Sequence, residues 1–298
     1  MKDSTGGLIA VYMSTALLAL NGLFAKLIPL DVASMTQLRS VVAFVALGLF
    51  IYFQKASLRV AGRKQLFQIY GLGVLLGLHW LTYFYAMQTA TVAIGMLSLF
   101  TYPVITVILE PLFKGERPHL VDLLAALLVF VGIIVMVAGD LKELFSSESE
   151  LTGDGLPLLV GAGWGVVSAF LFAFRNVFQK HSFQNVSSST LMAHQVFIVA
   201  LLLVPFLQTD QILDLDFLGV VSVVLLGVFS TAAAHTLLSI GLKKLPVKSV
   251  AMISCALPVM GAFLAWLVLG EIPTLPVLTG GAIIIAVAAY ESIKQNAK

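Results

Sequence analysis

The stretch "SLFTYPVITVILEPLFKGERP" runs from Ser98 to Pro118, and its punctuation decides how the chain is read. Pro103 sits inside an apolar run, where it removes a backbone donor and disturbs the turn before it. Gly115, Glu116 and Pro118 close the run. A second stretch, "SCALPVMGAFLAWLVLGEIP" from Ser254 to Pro273, carries the same marks. A shift of 155 residues places Pro103 on Pro258, Gly115 on Gly270, Glu116 on Glu271 and Pro118 on Pro273. The same shift, without a gap, places Asn21 on Asn176. Matches this far apart in one register indicate duplication.

The surroundings of these stretches are made for lipid. Of 298 residues, 59% are hydrophobic and 11% charged, and the mean hydropathy is +1.02. A soluble domain carries about a quarter charged residues. A bilayer core of roughly 30 Å takes about 20 apolar residues per helix. Ten such runs are expected: 8–28, 32–53, 66–88, 91–112, 120–139, 156–178, 188–207, 217–241, 247–269 and 274–292. The first is long for a signal peptide, has no A-x-A-like site, and is expected to remain as a span. The fold class is therefore an all-α integral membrane protein. Cys255, the single cysteine, excludes an intrachain disulfide and a cysteine-based metal cluster.

Lys and Arg set the orientation. With the N-terminus in the cytoplasm, thirteen of them fall in inside loops and tails, against Lys142 alone outside. Both termini are then cytoplasmic. The acidic linker 140–155 separates two sets of five spans, 1–139 and 156–298. Five is odd, so the second copy crosses in the opposite sense. Glu116 is expected inside and Glu271 outside. An inverted repeat of this kind is typical of secondary transporters, because its halves can exchange conformations around a midplane site.

The ten spans, the two half-repeats and the P-x12-E-x-P ending of spans 4 and 9 resemble the drug/metabolite transporter superfamily, and within it the EamA group, which includes aromatic amino-acid exporters. The resemblance covers essentially the whole chain. It implies a 5+5 inverted fold with a central cavity lined mainly by spans 1, 3, 4, 6, 8 and 9. Cargo in the family ranges over amino acids, other metabolites, nucleotide precursors and drugs.

Polar groups inside a span face a cavity or a partner. Asn21 and Asn176 fit either an interhelical hydrogen bond or cargo contact. Thr231, His235 and Ser239 follow i, i+4, i+8 spacing on span 8 and share a face. Their counterparts on span 3 are Leu76, Trp80 and Phe84, so a polar stripe is expected opposite an aromatic one. His79 and Tyr83 form a further i, i+4 pair, and so do Ser98 and Tyr102, and Trp164 and Ser168. Aromatic faces hold planar or cationic groups. Arg175 on span 6 fits attraction of an anionic group, or the positive-inside bias. Arg39 on span 2 fits a snorkelling or gate residue paired with an acid such as Asp31. The expected cargo-binding residues are Asn21, Trp80, Tyr83, Tyr102, Trp164, Ser168, Arg175, Asn176, Thr231, His235 and Ser239. Pro103 and Pro258 are expected at mid-helix kinks or hinges. Glu116 and Glu271 are expected to fix the turns after them by accepting hydrogen bonds.

No Asp or Glu lies near the centre of a span, which argues against a proton-coupled exporter of lipophilic cations. Proton coupling would fall to His79, His235 or His194, since histidine titrates near neutrality. No Walker loop, H-E-x-x-H or Ser/His/Asp constellation marks an enzyme. The expectation is a transporter of a small polar metabolite, amino acids favoured, working by alternating access in the plasma membrane (the inner membrane of a bacterium). Its expected partners are small-molecule cargo and the bilayer, with no nucleic acid, cofactor or metal. It is expected as a monomer or weak homo-oligomer. The rival readings are a membrane scaffold or lipid-handling protein, and export of nucleosides, nucleobases or drugs.

Overall fold

The computed structural model describes residues 2–21, 24, 27–90, 92–138, 155–270 and 272–297. Glu271, Lys26 and all but the last residue of the 140–155 linker lie outside the described residues. The first half contributes α1 (Lys2–Ala19), α2 (Val32–Phe53), α3 (Arg63–Thr89), α4 (Val92–Leu99), α5 (Tyr102–Phe113) and α6 (Leu120–Met136). The second contributes α7 (Gly155–Ser182), α8 (Ser188–Leu202), the short α9 (Thr209–Leu213), α10 (Phe217–Leu225), α11 (Ala234–Lys244), α12 (Val247–Ser254), α13 (Leu257–Leu269) and α14 (Leu275–Asn296). A π-helical segment, Leu226–Ala233, joins α10 to α11. No strand occurs among the described residues.

Seven helical stretches are long and apolar enough to cross a membrane: Val32–Phe53, Arg63–Thr89, Ile94–Phe113, Pro157–Ser182, Phe217–Lys244, Val247–Val268 and Leu275–Asn296. Three shorter apolar helices, Ser4–Ala19, Leu120–Met136 and Ser188–Leu202, fall on the remaining expected runs.

The prolines do not lie at mid-helix. Helix is interrupted by one tight turn after Leu99 and again after Ser254, and it restarts at Tyr102 and Leu257. Thr101 N donates to Ser98 O at 3.3 Å, and Cys255 N donates to Met252 O at 3.3 Å. Pro103 and Pro258 thereby become the second residues of new helices, where a missing N–H costs little. Both are buried. The two interruptions are 155 residues apart, as are the helix starts at Val92 and Val247 and at Leu120 and Leu275.

Gly115 and Gly270 both have φ +72°, a conformation that favours glycine. At the first, Glu116 N donates to Pro111 O at 2.8 Å and Gly115 N to Leu112 O at 3.0 Å. This pattern ends a helix through a left-handed residue. The turn is thus closed by the Glu116 backbone, whereas its side chain is exposed.

The contacts divide the chain into two compact units that do not coincide with the sequence halves. One comprises Leu78–Phe178 and Leu245–Lys298. In it α6 packs on α14 through Gly132 and Gly280, and a buried core gathers Tyr102, Val107, Val129, Ile133, Met252 and Ile284. The other comprises Lys2–Gly77 and Gln179–Lys244. In it α1 packs on α11 at Gly241, and α2 packs on α8 and the π segment.

Candidate functional site

In the first unit, α3 and α7 build a histidine–serine pair. Ser168 Oγ donates to His79 O at 2.8 Å. His79 Nδ1 lies 2.8 Å from Ser168 Oγ and 3.1 Å from Ser168 O. The serine proton is committed to the His79 carbonyl, so Nδ1 meets two acceptors. The tautomer with the hydrogen on Nδ1 satisfies all of these contacts at once. Gly165 lets α7 approach closely, because a Cβ there would fall against Ser98. The imidazole stacks on Phe172 at 4.6 Å and lies parallel to Tyr83 at 6.5 Å, while Tyr102 meets Phe172 edge-on at 5.3 Å. A row of four rings results, spanning α3, α5 and α7.

Tyr102 uses its hydroxyl at the second helix interruption. Because Cys255 N turns to Met252 O, Ala251 O loses its helical donor. Tyr102 Oη donates to it at 2.8 Å, and Cys255 Sγ lies 3.4 Å away. Tyr102→Phe is expected to destabilise the purified protein by about 1–2 kcal/mol, since a buried carbonyl loses its strong donor. Thermal unfolding checks this; unchanged stability would remove the phenol's bridging role.

Arg175 is wholly buried in α7, and its Nη1 donates to Asn176 Oδ1 at 2.9 Å. Trp80 is buried, whereas Trp164 is 40% exposed and edge-on to Tyr85.

In the second unit the polar stripe is also buried: Thr231, His235 and Ser239 are each at most 3% exposed. Ser239 Oγ accepts from Gln179 Nε2 at 3.0 Å, and Gln195 Nε2 donates to Gln179 Oε1 at 3.2 Å. These glutamines are absent from the sequence-derived candidates, although Gln195 lies well inside its expected span. Arg39 Nε donates to Thr231 Oγ1 at 3.0 Å. Asp31 instead caps α2, accepting from Ala33 N at 2.9 Å and Ser34 N at 3.1 Å, so the expected Arg39–Asp31 pair is replaced. Asn21 is half-buried, and its Oδ1 makes no hydrogen bond among the described residues.

Sequence reasoning also missed a network in the first unit. Glu110 is 2% exposed and accepts from Val247 N at 2.9 Å and Lys248 N at 2.8 Å. Pro246 occupies the N-cap of α12 and has no side-chain acceptor, so Glu110 of α5 supplies the cap. Asp122 accepts from both Lys248 and Lys294. Glu291 accepts from Ser249 Oγ at 2.5 Å and Gln295 Nε2 at 2.9 Å. Among the described residues no group of three or more His, Cys, Asp or Glu side chains could hold a metal ion.

Comparison with known proteins fits this architecture. The sequence model of the EamA-like transporter family matches residues 5–138 and again 159–290. A protein named an uncharacterized transporter, from Archaeoglobus fulgidus, is 28% identical over 281 residues, covering 94% of each chain. A solved crystal structure has a TM-score of 0.79 at 18% identity and covers 98% of each chain, a likeness of fold alone. With a family match over both halves, the chain belongs to the EamA-like transporter family and is a membrane transporter rather than an enzyme.

Proposed function

We propose that the chain moves a small polar metabolite bearing a carboxylate, amino acids favoured, by alternating access. The reading includes ten spans in two inverted sets of five, divided by the 140–155 linker, in a plasma membrane with both termini cytoplasmic. The chain acts as a monomer or weak homo-oligomer. The observation that carries the cargo class is Arg175. Its guanidinium is buried in an apolar helix, and its Nη1 donates to Asn176 Oδ1. A guanidinium is a planar fork of donors that matches a carboxylate and binds it through charge-assisted hydrogen bonds, which supports cargo bearing an anionic group. Asn21, Trp80, Tyr83, Tyr102, Trp164, Ser168, Asn176, Thr231, His235 and Ser239 remain the proposed cargo contacts beside Arg175. His79 and His235 are the proposed proton carriers of a coupled cycle.

The test is counterflow into proteoliposomes, with a panel of labelled amino acids chosen by thermal shift on the purified protein. At least one is expected to accumulate saturably, and Arg175→Gln is expected to lower its uptake about tenfold while the protein stays folded. Saturable counterflow of nucleosides or lipophilic cations, with none of any carboxylate, would overturn the cargo class. No counterflow of any solute would favour a scaffold or lipid-handling role.

A further inference from the structure

Span 8 is not one α-helix. α10 ends at Leu225, Leu226–Ala233 is π-helical, and α11 resumes at Ala234. The stretch 155 residues upstream, 71–78, lies within α3, which is α-helical from Arg63 to Thr89. A π turn bonds each N–H to the carbonyl five residues back, so it inserts a residue and re-phases the helix beyond it. Its hydrogen bonds are less regular than those of an α-helix, and side chains support it here. Thr231 Oγ1 donates to Leu226 O, five residues back, at 3.0 Å. Ser230 Oγ donates to Leu17 O at 2.8 Å, and Ser14 Oγ donates to Ala234 O at 2.7 Å.

Arg39 completes the support from α2. Its Nε–H donates to Thr231 Oγ1, so the threonine is held from both sides: its proton by Leu226 O, its lone pair by Arg39. α2 also braces the start of the turn. A Cβ on Gly227 would fall against Val42 and within 3.1 Å of Arg39 O. The other copy of the repeat lacks both features. Thr231 corresponds to Leu76 and Arg39 to His194, whose Nε2 lies 2.9 Å from Leu58 O. The clasp and the π turn are present together in one copy and absent together from the other.

We propose that Arg39 is a positioning residue: through Thr231 it holds span 8 in the π register and so fixes the direction of His235 and Ser239. The functional consequence rests on the cargo face assigned above; the register itself does not.

The experiment reads the register directly. A single cysteine is placed in turn at positions 234 to 242, in full-length protein carrying Cys255→Ser, and its rate of reaction with a water-soluble maleimide is measured in detergent. The helical phase of reactivity is expected to move by one residue when Thr231→Val or Arg39→Leu is added, and to stay in place with Thr231→Ser. Thr231→Val keeps the shape of the side chain and carries the test where Arg39→Leu does not fold. An unchanged phase in folded Thr231→Val protein would overturn the proposal. Counterflow of labelled amino acids that is unaffected by a shifted phase would instead overturn the cargo assignment of this face and leave the register standing.

Discussion

Asp122→Ala is expected to lower the melting temperature of the purified protein by roughly 5–10 °C, corresponding to about 2–3 kcal/mol. The carboxylate, 4% exposed, takes Lys248 from the first turn of α12 and Lys294 from the last turn of α14, the latter at 2.7 Å. It stands in the first turn of α6, where a negative charge also suits the helix dipole. Its removal takes away the acid that both ammonium groups share, while Lys294 Nζ keeps Glu291 at 3.7 Å. Breaking a fully buried pair costs about 3–5 kcal/mol. The lysine side chains are 18% and 27% exposed and can turn partly to water, so the expected cost is lower. Lys294→Ala is expected to cost less than Asp122→Ala, because Lys248 stays paired. A melting temperature within about 2 °C of wild type for Asp122→Ala would show that the network carries little of the stability.

That network also shows which parts of the molecule are legible in the sequence. The helical spans come from hydropathy alone. The interruptions at Pro103 and Pro258 come from the 155-residue repeat, although their form does not. A proline in an apolar run is expected to bend a helix at its centre, but the chain places it where a helix begins and the lost donor matters least. The polar pairings are hidden because their partners are remote. Arg39 and Thr231 are 192 residues apart, and Lys248 and Asp122 are 126 apart. No local pattern announces that Glu110 will cap a helix whose own cap position is Pro246. The π segment is equally silent: "LGVFSTAA" suits any buried helix, and its register depends on a guanidinium from α2. The candidate stripe on span 8 rests on α-helical counting, which stops being valid inside Leu226–Ala233. The grouping of helices into compact units likewise depends on tertiary pairing and cuts across both halves of the repeat.

Two neighbouring glycines on α14 are expected to respond to the same substitution with opposite sign. Alanine in place of glycine inside a helix gains about 1 kcal/mol from backbone propensity, if the methyl group has room. At Gly281 it has room: an added Cβ meets the Val259 methyls at 3.5 Å, an ordinary contact. Gly281→Ala is therefore expected to leave stability unchanged or raise it by up to about 1 kcal/mol. At Gly280 the same atom would fall against Gly132 O and Met136 N. Both are backbone atoms of α6 and cannot rotate aside. The helices would have to separate, and Gly132 would lose its close approach to Ile284, 3.0 Å from its own Cβ position. Overpacking costs about 1–3 kcal/mol, more than the propensity gain over most of that range. Where close backbone approach drives association in lipid, the loss extends along the whole crossing. Gly280→Ala is expected to lower the melting temperature by roughly 3–8 °C while Gly281→Ala does not. Thermal unfolding of the two variants side by side decides it: a shift of the same sign and size in both would mean that α6 and α14 do not cross at Gly132 and Gly280.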